Sequence, residues 1–331
     1  MGATHPESRL RAALARAGLA AGGFLTALAV VEAIARANQG SLVAKGLTLP
    51  ELDEETAKCA SPSLTRGYVL DGKCRRDAQG FFVGTEPRGQ AGAARVLVIG
   101  DSIAEEPWTF LAGDLAEAGA GRPVEVWNGA VSGYGTCQEA AAARELIPLA
   151  TPSVVLVETC VNDIGGSPVL RVDRPGWSRL SLHETAWVFP SILLDSAIVR
   201  IGMARWVGNR LSPSGASNRA EITTAERCAR DLVATATASG ARLVVVHFPV
   251  FDTADGEHAS DVALEPVVAG VWARAGAAGH DMRGPLEDMG PLVSLRDHVG
   301  DHIHPGRVHD PAIARIVAPW LVSALSAAGA P

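Results

Sequence analysis

The chain is short of lysine, of aromatic side chains and of cysteine, and each shortage closes off a class of function. Lysine occurs only at Lys45, Lys58 and Lys73, and 29 basic against 36 acidic residues leave a net charge of -7. A nucleic-acid partner would ask for a basic excess gathered on one face, so none is expected. Aromatic residues make up 5% of the chain, which leaves a core built of Ala, Val and Leu. Five cysteines in 331 residues are too sparse for a disulfide scaffold, and no C-x-x-C pair offers zinc-ligand spacing, so no metal site is expected. No G-x-G-x-x-G follows the first strand, which sets dinucleotide binding aside. What is abundant is apolar residue, 47%, and glycine, 35 residues; the length suits one large domain or two small ones.

The first residues bear on the compartment. Arg9, Arg11 and Arg16 precede an uncharged run over residues 17–31, the layout of a secretory n-region and h-region, with an A-x-A-like cleavage signal at Ala33-Ile34-Ala35. Residues 1–37 are therefore expected to be a signal peptide or a membrane-anchor helix, with Glu32 reaching the headgroups in the second case. The run is shorter than the ~20 residues a spanning helix wants, and an Ala-rich helix that stays in the cytosol is the alternative. Arginines ahead of the run favour an exported body, periplasmic, secreted or held at the membrane. Cysteines there can be oxidised: Cys59 with Cys74 and Cys137 with Cys160 are the pairs considered, with Cys228 left over as a small buried residue.

Residues 38–92 carry Pro50, Pro62 and Pro87 without a sustained period, and read as a linker and small accessory segment. A domain over residues 93–331 follows. Short β-branched runs at residues 95–100, 123–127, 153–158 and 241–248, with a weak fifth at 280–282, read as strands buried on both faces. Between them lie helical stretches at 103–118, 138–149, 224–239, 261–276 and 311–327. The alternation means right-handed crossovers and a mostly parallel sheet of about five strands between two helical layers. In such a sheet, sites form in loops at the carboxyl ends of the strands.

Those loops hold chemistry. Ser102 follows the first strand, where it can act as a helix N-cap or as a nucleophile. A nucleophilic serine needs a base and a group that orients the base. Asp301 and His304, three residues apart on a Gly/Pro-bounded loop, can supply both, although His298, His302 and His309 compete for the part of base. Acyl transfer also needs donors for the developing oxyanion, and the Ser102 N-H, the Gly133 N-H and the Asn162 side-chain amide are candidates. Gly133 can instead serve only a turn, and Asn162 only a cap.

In combination these segments resemble the SGNH, or GDSL-type, hydrolase family. Val98-Ile99-Gly100-Asp101-Ser102 is similar to block I, residues 128–135 to block II, Asn162-Asp163 to block III, and Asp301-x-x-His304-Pro305 to block V. The resemblance runs from about Gln79 to Leu325 and is greatest to bacterial exported or membrane-associated members, with a Gln79-Gly80-Phe81 entry and an Asn-x-x-Val-x-Gly-Tyr-Gly-Thr run from Asn128. It implies a flavodoxin-like three-layer α/β/α fold and no metal or organic cofactor. It also implies Ser102 as nucleophile, His304 as base, Asp301 as its orienting carboxylate, and an oxyanion hole of Ser102, Gly133 and Asn162. Two departures stand out. Cys160 occupies the usual glycine of block III, and Glu105 and Glu106 lie just after the nucleophile, where they can repel anionic substrates.

The segment over residues 165–222 is too long for a simple connection and carries Trp187, Phe189, Ile192, Leu193, Ile198, Ile201, Met203 and Trp206. It reads as a helical insertion packed on the core, with a membrane-facing surface or an acyl-chain wall as alternatives. The expected function is hydrolysis of a carboxylic ester, an O-acetyl or short acyl group on a small molecule or polysaccharide, through an acyl-enzyme. The rivals are an O-acyltransferase using the same acyl-enzyme and a catalytically silent domain that binds a glycan or a partner.

Overall fold

The computed structural model describes residues 6–38, 60–63, 66–70, 75–84, 88–105, 108, 110–118, 120–164, 169–174, 177–182, 185–190, 192–193, 196–211, 215–252, 256, 259–298 and 301–327. Its centre is a five-stranded sheet of β1 (Ala94–Ile99), β2 (Val124–Asn128), β3 (Val154–Thr159), β4 (Arg242–His247) and β5 (His280–Asp281). The spatial order is β5-β4-β3-β1-β2 with every pair parallel, the flavodoxin-like doubly wound order. The fold is an α/β/α sandwich.

The period-2 geometry of a strand sends alternate side chains to opposite faces, and both faces here are buried. Leu97, Ile99, Val155, Val157 and Val245 pack on the side covered by α2 (Thr136–Ala150), α3 (Gly215–Ala238) and α4 (Glu265–Arg274). Val96, Val98, Leu156 and Val246 pack on the other side, under α1 (Leu111–Glu117) and α5 (Asp310–Ala327). Each fully buried Val or Leu contributes about 1.5–3 kcal/mol of burial free energy. Because the strands are parallel, their carboxyl ends share one edge, and the site is built there.

Three local expectations give way to tertiary contacts. Among the described residues, the helix expected over residues 103–118 forms only as α1, and residues 101–105 are turns and bends. The Asp101 carboxylate accepts the Ile103 N-H at 2.9 Å, and the carbonyls of Ala104 and Glu105 accept from the Asn128 side chain at 2.8 and 3.1 Å. Those carbonyls are drawn sideways, out of a helical ladder.

The insertion, expected to be helical, begins as a three-stranded antiparallel sheet, Val169–Arg174, Trp177–Leu182 and Thr185–Pro190. A helix follows over Ala197–Leu211. The register sets Leu170 opposite Leu180 and Leu180 opposite Trp187.

The disulfide pattern also differs. Cys137 on α2 is bonded to Cys228 on α3, and Cys160 is a buried free thiol; the Cys137–Cys160 pair considered from the sequence is not formed and Cys228 is not left over. Neighbouring helices brought these two cysteines to a Cα–Cα distance of 4.9 Å across 91 residues of chain, an adjacency that spacing alone does not reveal. Cys59 and Cys74 lie outside the described residues.

At the N-terminus, residues 6–37 form a helix, Pro6–Ala37. Among the described residues, no helix is long and apolar enough to cross a membrane. Glu32 has a different task from the one expected. Its carboxylate accepts the Ala197 and Ile198 N-H groups at 2.8 and 3.1 Å and the Ser196 hydroxyl at 3.0 Å, capping the helix Ala197–Leu211. The Ala197 amide, the Arg36 guanidinium and the Ile198 amide hold this carboxyl down to about 2.

Closing a 91-residue loop constrains the unfolded chain, and such a bond typically adds about 2–4 kcal/mol. The double substitution Cys137→Ser/Cys228→Ser should lower unfolding stability by that order in denaturant titrations, and dithiothreitol should destabilise the native protein but not the double variant. Equal sensitivity of both to reductant would contradict the bond.

Candidate active site

The turn after β1 is crowded enough to demand glycine. A Cβ on Gly100 would lie 2.8 Å from the Ala104 Cβ and 2.8 Å from a Glu158 oxygen. Next in the chain, Asp101 has no exposed surface. One of its oxygens receives the Ile103 amide, and the other receives the Asn162 side-chain amide at 2.8 Å; its own N-H donates to Glu158 at 3.3 Å. Asp101 thus ties the ends of β1 and β3 together and leaves Ser102 half-buried beyond the strand.

The second half of the site comes from the loop before α5. An isolated bridge joins Arg296 to Pro305, the Gly306 N-H donates to the Leu295 carbonyl at 2.7 Å, and the Phe251 N-H donates to the His302 carbonyl at 2.8 Å. Within that loop the Asp301 carboxylate accepts the Ile303 and His304 amides at 2.9 and 3.0 Å, while its other oxygen lies 2.9 Å from His304 Nδ1. Ser102 Oγ and His304 Nε2 are 2.8 Å apart.

Of the competing histidines, His298 sits beside Asp297 at 3.3 Å and His302 beside Asp261 at 3.1 Å. His304 alone among the described histidines reaches Ser102.

The tautomer follows from charge. Burial by itself would raise the Asp301 carboxyl, but the His304 and Ile303 amides and the His304 ring outweigh it and hold the group below its usual range. An ionised carboxylate only accepts. His304 Nδ1 therefore carries the proton, which leaves the Nε2 lone pair free for the Ser102 hydroxyl.

These groups open on a cavity of about 240 Å3 with Ser102, Glu105, Asp297, Asp301, His304 and Arg307 on its walls. Gly133 and Asn162 are not among the residues that line it, and each is linked to the turn that carries Ser102, Asn162 directly through Asp101 and Gly133 through its neighbour Ser132. Gly133 sits in a left-handed conformation at φ 76°, a region glycine enters without steric cost, and its neighbour Ser132 donates its N-H to Glu105 at 2.9 Å.

Asn162 donates to Asp101, and its carbonyl oxygen receives the Cys160 thiol. A glycine at 160 would offer no such donor. Burial, then the charges of Asp101, Asp163 and Glu158, push the Cys160 thiol well up, so it stays protonated and is no rival nucleophile. A second cavity of about 420 Å3, lined by Cys160, His247, Phe248, Pro249, Val268 and Ala273 among others, includes neither Ser102 nor His304. Burial brings His247 there down to about 4, so its ring is neutral.

Sequence reasoning singled out Ser102, Asp301 and His304, and it noted Glu105 with Glu106 as a departure able to repel anionic substrates. It missed Arg76, whose guanidinium donates to Glu105 at 2.8 Å, and the bracing role of Asn128. The Asn-x-x-Val-x-Gly-Tyr-Gly-Thr run contained Asn128, but nothing in the run says what the side chain holds.

Similarity to known proteins is visible in structure alone. No family model matches the chain, and no curated protein does. Among solved structures, TesA shares 18% identity with a TM-score of 0.41, covering 70% of this chain and 99% of its own. The acetylxylan esterase Axe2 from Geobacillus stearothermophilus shares 13%, TM-score 0.44, over 71% and 96%. A lipase/acylhydrolase from Enterococcus faecalis shares 11%, TM-score 0.42, over 70% and 96%. Likeness this distant concerns the fold alone, and the chain's own strand order already defines that fold.

Beneath the site lies a knot of buried acid. Glu139, Glu158 and Asp163 are buried, and both oxygens of Glu139 lack a hydrogen-bond partner among the described residues. Burial first, then the mutual charges of these groups and Asp101, push all three carboxyls well up. A carboxyl that binds its proton more tightly when folded lends stability that is complete below its unfolded pKa of about 4.3 and drains as pH rises towards the folded value. Thermal melts from pH 4 to pH 9 should therefore show a decline towards alkaline pH that Glu139→Gln, neutral throughout, makes shallower. A variant with an unchanged slope would show that Glu139 ionises without cost.

Proposed function

We propose that this protein is a serine esterase of the SGNH type, cleaving a carboxylic ester through an acyl-enzyme. The observation that carries the reading is the continuous hydrogen-bonded line from Ser102 Oγ through His304 to Asp301. In that line His304 Nε2 takes the hydroxyl proton as Ser102 attacks the acyl carbon, and Asp301 stabilises the imidazolium. His304 then returns the proton to the departing alkoxide, and a water activated by the same ring releases the acid.

Three groups serve as donors to the tetrahedral oxyanion in this reading: the Ser102 N-H, the Gly133 N-H and the Asn162 side-chain N-H not given to Asp101. Each such donor is worth about 3–4 kcal/mol in the transition state. Cys160 supports this by accepting nothing from the Asn162 NH2 and donating to its carbonyl, which turns the amide nitrogen towards Asp101 and the nucleophile.

The small polar cavity favours an acetyl or short acyl group over a long chain. Three aspartates on its walls, Asp297, Asp301 and Asp310, against the single guanidinium of Arg307 favour a neutral ester, such as an O-acyl group on a carbohydrate, over an anionic one. Export from the cytoplasm is supported by the charged and apolar order of the N-terminal residues and by the Cys137–Cys228 bond.

Incubation with a fluorophosphonate should add one adduct to Ser102, and Ser102→Ala should abolish both labelling and turnover of p-nitrophenyl acetate. Asp301→Asn, which costs the ring its tautomer, should cut kcat about 10^3–10^4-fold. Acid release should not require an added polysaccharide acceptor. Labelling of Ser102→Ala equal to that of the folded wild type would sink the proposal.

A further inference from the structure

Glu105 is an odd residue to find three positions after a nucleophile, on the wall of the cavity, and its surroundings explain it. One of its oxygens, Oε1, receives both the Arg76 guanidinium at 2.8 Å and the Ser132 backbone N-H at 2.9 Å. Ser132 immediately precedes Gly133. Arg76 comes from outside the sheet, from the turn over residues 75–83 in the accessory segment, and is only 4% exposed.

That turn is anchored. Arg76 bridges antiparallel to Phe82, the Phe82 N-H donates to the Asn128 carbonyl at 2.7 Å, and the Arg76 guanidinium stacks 5.1 Å from the centre of the Phe82 ring. Asn128 in turn holds the Ala104 and Glu105 carbonyls. The carboxylate therefore stands where the accessory turn, the nucleophile turn and the Gly133 loop meet. Two further Arg76 nitrogens, Nε and Nη1, are buried with no hydrogen-bond partner among the described residues. The side chain is thus kept in place at a desolvation cost that its pairing with Glu105 chiefly offsets.

We propose that Glu105, buttressed by Arg76, is a positioning residue for oxyanion stabilisation: its carboxylate holds the Ser132 amide and so fixes the direction of the adjacent Gly133 N-H. The role rests on the esterase reading above. It assigns the accessory segment a part in the chemistry, since a residue of that segment supplies the counter-charge that keeps the carboxylate in place. Burial tends to raise the Glu105 carboxyl, and the Arg76 charge with the Ser132 hydrogen bond opposes that, with Asp101 the nearby like charge.

Two double variants separate positioning from mere packing. Arg76→Met/Glu105→Gln removes both charges but leaves an amide oxygen to accept the Ser132 N-H; Arg76→Met/Glu105→Ala removes the acceptor as well. Neither leaves a buried unpaired charge. Each is assayed on p-nitrophenyl acetate and on its thionoester, whose sulfur is a poor acceptor for an oxyanion hole.

The wild type should prefer the oxoester strongly. The glutamine variant should keep that preference, whereas the alanine variant should lose about tenfold or more in kcat on the oxoester. Its KM should stay within about twofold, and its loss on the thionoester should be smaller. Equal losses on both esters in the alanine variant, or equal behaviour of the two variants, overturns the proposal. Absence of wild-type turnover on either ester overturns the esterase reading itself, a result that the variants cannot mimic.

Discussion

Everything at the carboxyl edge of the sheet depends on one buried carboxylate, Asp101. It has no exposed surface, sits directly before Ser102, and distributes its two oxygens between the Ile103 amide on its own turn and the Asn162 side-chain amide from the turn after β3. A charge-accepting group in that position would be costly if left alone. Hydrogen bonding to it is therefore compulsory, and the compulsion shapes the turn: the chain after β1 folds around Asp101 instead of running on as a helix. Ser102 is presented by that fold, and Gly100 leaves room for it.

The site that results is braced from three sides. The sheet supplies β1 and β3, both buried on both faces, as a rigid base. The loop before α5 supplies Asp301 and His304, and its bridge to Arg296 and its bond to Phe251 keep the imidazole within reach of the serine. The accessory turn supplies Arg76, and through Glu105 it reaches the loop that carries Gly133. Catalysis by a preorganised dipole needs groups that do not have to move as charge develops. Bonds between segments far apart in sequence provide that rigidity.

How much of this could be read in the residues follows from the range of the forces involved. The strands were legible because burial on both faces leaves an unbroken β-branched run, as at Val154 to Val157. Ser102, Asp301 and His304 were legible as candidates because acyl transfer would demand those side chains and the loops carrying them follow turn signals. The length of α1 was not, because propensity favours a helix from Ile103 onwards and a side chain from another strand, Asn128, takes the carbonyls that helix would have used. The partner of Cys137 was not, because Cys228 approaches it only when α2 and α3 pack on the same face of the sheet.

Sequence alone therefore determined the strand and helix order, the parallel sheet, and the chemical identity of the groups at its carboxyl edge, since these depend on local pattern and side-chain type. Tertiary structure decided which of four nearby histidines faces Ser102, which cysteines are joined, and that Glu105 is paired with Arg76 rather than turned on the substrate. Those outcomes rest on contacts across tens to hundreds of residues, and only the packed chain fixes the distances that separate a hydrogen bond from a near miss.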